Sequence, residues 1–527
     1  MSTANPESAS DRDAATYLRV EGVNLSAFVF DTRDLSTNRG GSLMLLNAVD
    51  EAIDALGMKD GDPKILSRGA SSGLFRIEGD AETAATTADN VRKALATKFP
   101  HATFVVDVVT ADFADSREQL LAANRWRQMQ AATLAVPVVS EGRRWSQPAC
   151  ELDGLRPAEE GRNGSHTLRG KKLSESTWRR REYGREEKQG FYERATDLAN
   201  LPAFANDFET IAVGSKPLDG KIAVFYADGN GFGGIQAKHC PDEAKQKKWD
   251  ALVREGRKGF LTAFLRDQAG VGNGRTLATD SLWRGQQTGE KDNGKECVRF
   301  ETLLWGGDEF LFVMPAALGW SFATFFFEQM QGMEFAKQQL THAAALVFCQ
   351  HHSPIHRLQK LAKDQMAEFA KGAKDENGTV VGRSRDSLTV VALESFDHLG
   401  TDFEKAMNLH YSDFQPLEKM LFAKRGDDLP LYKDLAAFAS GVDALRSSET
   451  FPRSQLRGLV NEMLAKKDRT IGDFQQQTDK NGNPLPPRHF RNADDEARAR
   501  LADLRSLFPD PTTLWLQLEE LWDYART

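Results

Sequence analysis

"KIAVFYADGNGFGG" (221–234) and "LLWGGDEFLFVMP" (303–315) are two apolar runs, each carrying carboxylates and glycines at one end. The first reads as a strand that ends at Asp228; the second as two strands joined by a tight "GGD" turn. Between them, "DEAKQKKWDALVREGRKGFLTAFL" has helical apolar spacing, and a glycine-rich loop over 269–296 leads into "CVRFETLLW". The helix "LGWSFATFFFEQMQGMEFA" and the strand "HAAALVFC" follow. The element order is β-α-β-β-α-β, the ferredoxin-like arrangement, whose strands lie in the order 4-1-3-2. The end of strand 1 then falls beside the tip of the strand 2–3 hairpin. Asp228 is expected at the first place and Asp308 and Glu309 at the second, although Asp228 and Asp308 are 80 residues apart.

Three carboxylates on one sheet edge repel one another and raise each other's pKa unless a cation lies among them. Hard oxygen donors favour Mg²⁺ or Mn²⁺, and a pair of such ions is the usual device of phosphoryl and nucleotidyl transfer. Gly229, Gly231, Gly306 and Gly307 would let the backbone approach a phosphate tail. The alternative is that "DGNG" and "GGDEF" are solvated turns that happen to be acidic.

Working toward the N-terminus, the same order of elements occurs once more. "TYLRVEGVN" reads as a strand, "GGSLMLLNAVDEAIDAL" as a helix, "KILSR" and "SGLFRIEG" as a hairpin, "DAETAATTADNVRKALATKF" as a helix and "ATFVVDVVT" as a strand. A helical stretch near 115–134 closes the unit. Its hairpin, "RGASSGLF", holds glycines and no acid, so it is not expected to bind a catalytic metal; Asp31 and Asp34 read as loop residues. The "TNRGGS" and "RGASSG" passages are expected to offer backbone amides to phosphates. The expected class is α+β, two ferredoxin-like units followed by a helical C-terminal part. The expected boundaries are 1–15 for a disordered tail, 16–145 and 216–400 for the two units, 146–215 for a linker or insertion, and 401–527 for the helical region.

Composition narrows the function classes. The 527 residues are 40% hydrophobic and 27% charged, ordinary for a globular chain. A formal net charge of −8 argues against non-specific coating of nucleic acid. No apolar run is long enough to span a bilayer and the N-terminus has no signal-peptide pattern, so a cytoplasmic protein without a membrane partner is expected. Cys150, Cys240, Cys297 and Cys349 form no C-x-x-C pair, which speaks against a structural zinc or a disulfide framework.

"LLWGGDEFLFV" resembles the signature hairpin of GGDEF-type nucleotide cyclases. The chain over about 16–400 is most similar to the large polymerase-cyclase subunit of type III CRISPR effector complexes, of the same palm superfamily. "FDTRDLSTNRGGSLML" (30–45) matches the glycine-rich strand-to-helix passage of that family's first palm. "DGNGFG" (228–233) matches the D-G-x-x-x-G strand end of its second. The resemblance implies two palms, of which the second is catalytic. It implies a metal-dependent nucleotidyltransferase that makes a cyclic or short oligonucleotide messenger, in antiviral signalling. Two Mg²⁺ or Mn²⁺ ions would be held at Asp228, Gly229, Asp308 and Glu309, with Asp228, Asp308 and Glu309 catalytic. Nucleotide would be held along Gly229, Asn230, Gly231, Phe232, Gly233, Gly306 and Gly307, and by a lysine at the end of the "SPIHRLQKLAKDQMAEFAKGAK" helix, Lys371 or Lys374. Nucleoside triphosphates are the implied substrates, ATP favoured, with RNA or protein subunits as partners.

The chain departs from that family in three places. Nothing before residue 16 fits an HD nuclease, "PACELDGLRPAE" keeps only Cys150 of a zinc knuckle, and the hairpin ends in Glu309 where G-G-D-D is common. Glu309 is nearer the diguanylate-cyclase form, but the Arg-x-x-Asp motif expected before Gly306 is missing. A diguanylate cyclase and a non-catalytic palm scaffold that binds nucleotide or RNA are the alternatives. "CQHHSPIHR" (349–357) would lie at the opposite end of the sheet from Asp228, so its histidines read as structural, with Ser353 as N-cap. "WRRREYGR" (178–185) interleaves aromatics with arginines as RNA-contacting segments do, but a solvated linker is the preferred reading.

Overall fold

The computed structural model describes residues 14–130, 148–158, 160–161, 164–165, 167–168, 170–271, 277–288, 293–372, 382–393, 402–405, 422–423, 430–473, 475–478, 484–508 and 510–527. The architecture is mixed α and β, and no helix among the described residues is long and apolar enough to cross a membrane. Two compact units are present: one within Met1–Lys188, Gly233–Glu255 and Trp305–Gly307, the other within Gln189–Phe232, Gly256–Leu304 and Asp308–Thr527.

In the first unit, β1 (Ala15–Val23), α1 (Leu35–Ala55), β2 (Ile65–Arg68), β3 (Ser72–Ile77), α2 (Ala81–Lys98) and β4 (Thr103–Ala111) follow the expected order. The sheet order β2-β3-β1-β4 is the expected 4-1-3-2, with β1 antiparallel to both neighbours. Alternation along β1 sets its two faces. Tyr17 joins Leu66, Leu74, Phe113 and Leu120 in the cluster under α3 (Phe113–Gln130), and Leu18 and Val20, fully buried, point the other way. Asp34 and Asp80 cap α1 and α2 by accepting from the amides of Thr37 and Thr83.

The stretch expected as a linker contains α4 (Glu175–Thr196). Its N-terminal half carries no apolar period because the residues it buries there, Ser176, Thr177 and Arg180, are polar, and apolar burial comes only later, at Phe191 and Tyr192. The fully buried Arg180 donates to both oxygens of Asp31, at 2.7 and 2.9 Å, and lies over the Phe28 ring. Arg156 joins Asp31 at 2.5 Å and Asp153 at 3.1 Å. Asp153 accepts further from the amides of Leu155 and Arg156 and from the Thr177 hydroxyl. "WRRREYGR" is therefore a packed helix and not a solvated linker, and Asp31 is an ion-pair anchor and not a free loop acid.

The "TNRGGS" passage also differs from expectation. It lies inside α1, where its amides are spent on the helix, and Gly40 serves close packing instead. A Cβ on Gly40 would fall 1.6 Å from the Arg180 carbonyl oxygen, and one on Gly184 2.1 Å from that of Ser36. Helices α1 and α4 thus touch backbone to backbone. In the "RGASSG" turn the Gly69 amide is likewise taken, by the Ser72 carbonyl at 2.8 Å.

The second unit is built on β5 (Lys221–Gly229), β6 (Glu301–Trp305), β7 (Glu309–Pro315) and β8 (His342–Gln350). The strand expected over "CVRFETLLW" is two pieces, because Glu296–Val298 pairs separately with Arg284–Gln286. Beyond β8, β9 (Ser387–Ala392) adds in parallel and β10 (Phe422–Ala423) closes the sheet, in the order β6-β7-β5-β8-β9-β10. Residues 222–227 of β5 are all buried, as in a central strand covered on both faces. Phe322 and Phe326 of α7 (Ala316–Met330) stack edge-on and tilted against Phe225 and Phe260. Helices α5 (Phe232–His239), which the glycine-rich sequence did not suggest, and α6 (Glu243–Ala263) lie between β5 and β6 in the chain, and residues 233–255 of them belong to the first unit. After β8 the chain passes through α8 (Ile355–Lys360), a π-helical segment (Leu361–Ala367) and α9 (Glu368–Gly372). Pro354, not Ser353, occupies the N-cap position of α8. The C-terminal part carries α10 (Leu431–Ser447), α11 (Arg453–Lys466), α12 (Asp495–Leu507) and α13 (Pro511–Leu521), as the helical pattern anticipates.

Candidate functional site

Strand register brings the acids together. β7 runs antiparallel to β5 with Glu309 opposite Asp228, and the Gly229 amide donates to the Asp308 carbonyl at 3.0 Å. Since Gly229 and Asp308 share a hydrogen bond, Asp228 and Glu309 form the non-bonded pair, whose side chains stand closest on one face. Asp308 sits one residue earlier, where Gly306 and Gly307 turn the chain out of β6.

The carboxylates are under electrostatic pressure. Burial, with Asp228 and Glu309 nearby, pushes the Asp308 carboxyl up to about 7. Burial also raises Asp228, although the ammonium of Lys371 opposes it. Lys371 bonds to Asp228 and, at 2.8 Å, to Glu368; these bonds outweigh burial and hold its pKa above the usual lysine value. Lys363 bonds to Glu309, which also accepts from the Tyr226 hydroxyl at 2.6 Å. Tyr226 is 1% exposed, and burial with the surrounding acids drives its phenol far above the ordinary range.

The glycine-rich turn divides into held and open parts. Asn230 is buried: its amide donates to the Thr341 carbonyl at 2.8 Å, and its side chain to Thr341 Oγ1 at 3.0 Å and the Arg385 carbonyl at 3.1 Å. Phe232 is buried against Gly229, where a Cβ would lie 2.6 Å from its ring. Gly231 has φ +68°, and Cβ atoms on Gly231, Gly233 or Gly307 would meet nothing within 4 Å. Those three leave backbone open to a ligand, whereas Asn230 and Phe232 hold the turn.

Lys371 thus meets an expected acid, and Lys374 lies outside the described residues. Sequence reasoning missed Lys363 and Tyr226. Tyr226 could have been found, being two residues before Asp228 and so on the same face of a strand. Lys363 could not, because it lies in the π-helical segment, a local change of helical phase. The histidines fall where the topology put them: Gln350 pairs with Lys221 at the far end of β5, and His351 Nδ1 shares a 2.9 Å hydrogen bond with the Gly220 carbonyl. His342 lies nearer the acids, opposite Gly229, and burial lowers its imidazole to about 4.

The donor chemistry of Asp228, Asp308, Glu309 and the Gly229 carbonyl suits a hard divalent cation. Among the described residues, however, no group of three or more acids, histidines or cysteines is arranged as a metal-binding cluster. Lysine ammonium groups satisfy two of the three acids instead.

No family model and no curated protein sequence matches the chain. Solved structures do. A Csm1–Csm4 cassette in complex with one ATP aligns at TM-score 0.50 and 12% identity, over 98% of this chain and 70% of that one. Csm1 of T. onnurineus aligns at TM-score 0.49 and 11% identity, over 98% and 70%. The chain has the fold of Csm1, a type III CRISPR subunit, so the resemblance drawn from the motifs holds at the level of fold.

Proposed function

We propose that the chain is a metal-dependent nucleotidyltransferase of two palm domains, the second catalytic, that joins nucleoside triphosphates into a cyclic or short oligonucleotide. The observation that carries this reading is the pairing of Asp228 with Glu309 beside Asp308, whose carboxyl is held near neutrality by burial and like charge. A fold with no use for a cation would have little reason to keep three acids there. Asp228, Asp308 and the Gly229 carbonyl would hold Mg²⁺ or Mn²⁺. Such ions lower the pKa of an attacking hydroxyl and neutralise a leaving pyrophosphate. Tyr226 fixes Glu309, and the open backbone at Gly231, Gly233 and Gly307 leaves room for phosphate oxygens. Lys371 and Lys363 are the cations free to exchange carboxylates for phosphates. ATP is the first substrate to test, since a cassette of the same fold holds one ATP. A protein partner subunit follows from the same likeness.

The test incubates the chain with each triphosphate and Mn²⁺ and identifies products by mass spectrometry. Pyrophosphate release with phosphodiester products, abolished in Asp228→Ala and Asp308→Ala, is expected. The second reading, a nucleotide-binding scaffold, is favoured by the lysine–carboxylate pairs, which neutralise the acids without metal. Triphosphate binding unchanged by EDTA and by both variants, with no product, would select it.

A further inference from the structure

The first unit contains a cavity of about 210 Å³ whose wall includes the "WRRREYGR" stretch of α4. Its remaining walls come from α1 and from the turn between α2 and β4. Four rings face it, those of Phe99, His101, Trp178 and Tyr183, and Phe99 and Tyr183 meet edge-on at 6.0 Å. Lys98 and Glu186 stand at the rim, exposed and without an ion pair among the described residues. His101 makes no hydrogen bond among the described residues, and burial, with Arg179 nearby, lowers its pKa.

We propose that this cavity binds a nucleotide unit, a base among the rings with one phosphate at Lys98. The size suits a base with part of its ribose, and aromatic walls are the general means of holding a base by its π-face. A neutral imidazole offers one donor and one acceptor, and Glu186 accepts from a base amino group, which matches the mixed edge of a nucleobase. Of the arginines in the lining, Arg179 is paired with Glu175 and Arg180 with Asp31, so Lys98 is the cation left for a phosphate, and Glu186 at the same rim disfavours a triphosphate. An aromatic side chain from a protein partner would fill the rings but leave Lys98 without an anion.

The chemistry is shared by a free mononucleotide and by one residue of single-stranded RNA, and the arms of the experiment separate them. Full-length Asp308→Ala protein in EDTA, in which metal-dependent binding is removed, is titrated calorimetrically with AMP, GMP, CMP and UMP and with a ten-residue oligoribonucleotide. Saturable binding of a mononucleotide assigns a free nucleotide; binding of the oligonucleotide alone assigns RNA. In either case Trp178→Ala and His101→Ala are expected to weaken affinity about tenfold or more, and Lys98→Ala to weaken it less. A 5-iodouridine photo-crosslink should map to the α4 peptide that holds Trp178 and Tyr183. Because Trp178 packs in α4, Lys98→Ala at the end of α2 and His101→Ala on the turn after it serve as the variants that leave α4 intact. Absence of saturable binding by any of these ligands overturns the proposal in favour of a protein partner. Binding unmoved by His101→Ala and Lys98→Ala overturns it as well.

Discussion

Replacing Asp308 by Asn should stabilise the metal-free protein while removing the proposed nucleotidyltransferase activity. The Asp308 carboxyl lies at about 7 in the folded chain against about 3.9 for an unperturbed aspartate. The folded state therefore holds its proton more tightly than the unfolded state does. Between those two values the folded chain binds more protons, so raising the pH erodes stability. The cost is absent below about pH 4 and complete above about pH 7. At 1.36 kcal/mol for each unit of pKa, it approaches ~4 kcal/mol, and relaxation with water entry reduces this to roughly 2–4 kcal/mol. Asn keeps the shape of Asp without the charge, so the gain from Asp308→Asn should be about a third of its full size at pH 5 and reach its full size at pH 8. Urea unfolding of both proteins in EDTA at the two pH values measures it. Adding Mn²⁺ should then stabilise the wild type, through binding to the folded state alone, and leave Asp308→Asn nearly unmoved. A variant that is no more stable than wild type at pH 8, or equally favoured at both pH values, would refute the electrostatic reasoning.

Other perturbations follow from the same contacts. Arg180→Met leaves Asp31 buried with Arg156 as its one ion-pair partner among the described residues and should cost about 3–5 kcal/mol, read as a lowered urea midpoint. Gly184→Val drives a Cβ into the Ser36 carbonyl and should separate α4 from α1, exposing α4 amides to hydrogen exchange. Lys371→Met should move two affinities in opposite directions: tighter Mn²⁺ binding, because Asp228 is released, and triphosphate binding weakened about 10- to 100-fold, the worth of a charge-assisted bond. Trypsin should spare Arg179, Arg180 and Arg181 in the folded protein despite their number, because α4 is packed and Arg180 fully buried.

What was legible in the sequence followed apolar periodicity and topology. The order of elements in both units, the convergence of Asp228 with Asp308 and Glu309 on one sheet edge, and the distant placing of the histidines all follow from strand runs and one topological rule, while the exact register of Glu309 on Asp228 does not. What escaped was polar. Helix α4 carries almost no apolar period, since it is held by Arg180 on Asp31 and by two glycines that let backbones meet, and neither device has a period to detect. The glycines of "TNRGGS" illustrate the same ambiguity: a glycine that lets a phosphate approach and one that lets a helix approach look identical in a sequence. Lys363 escaped because a π-helical turn changes which residues share a face.

The two residues of the acidic turn differ in what they are committed to. Glu309 is bound on both sides by protein, to the Tyr226 phenol and the Lys363 ammonium, so its charge is already compensated. Among the described residues Asp308 receives no side-chain cation of its own; there Lys371 acts on it at a distance, through its place on Asp228. The unrelieved charge of the site is therefore concentrated at Asp308, and an incoming divalent cation gains most there. Asp228 comes second, because its lysine must first let go, and that lysine is also bonded to Glu368, which gives it somewhere to remain. The longer side chain of a glutamate at the last position of the hairpin then has a physical purpose. One more methylene separates its carboxylate from the strand and brings it within reach of Tyr226 and Lys363, and Asp228 and Asp308 are left to face a cation together.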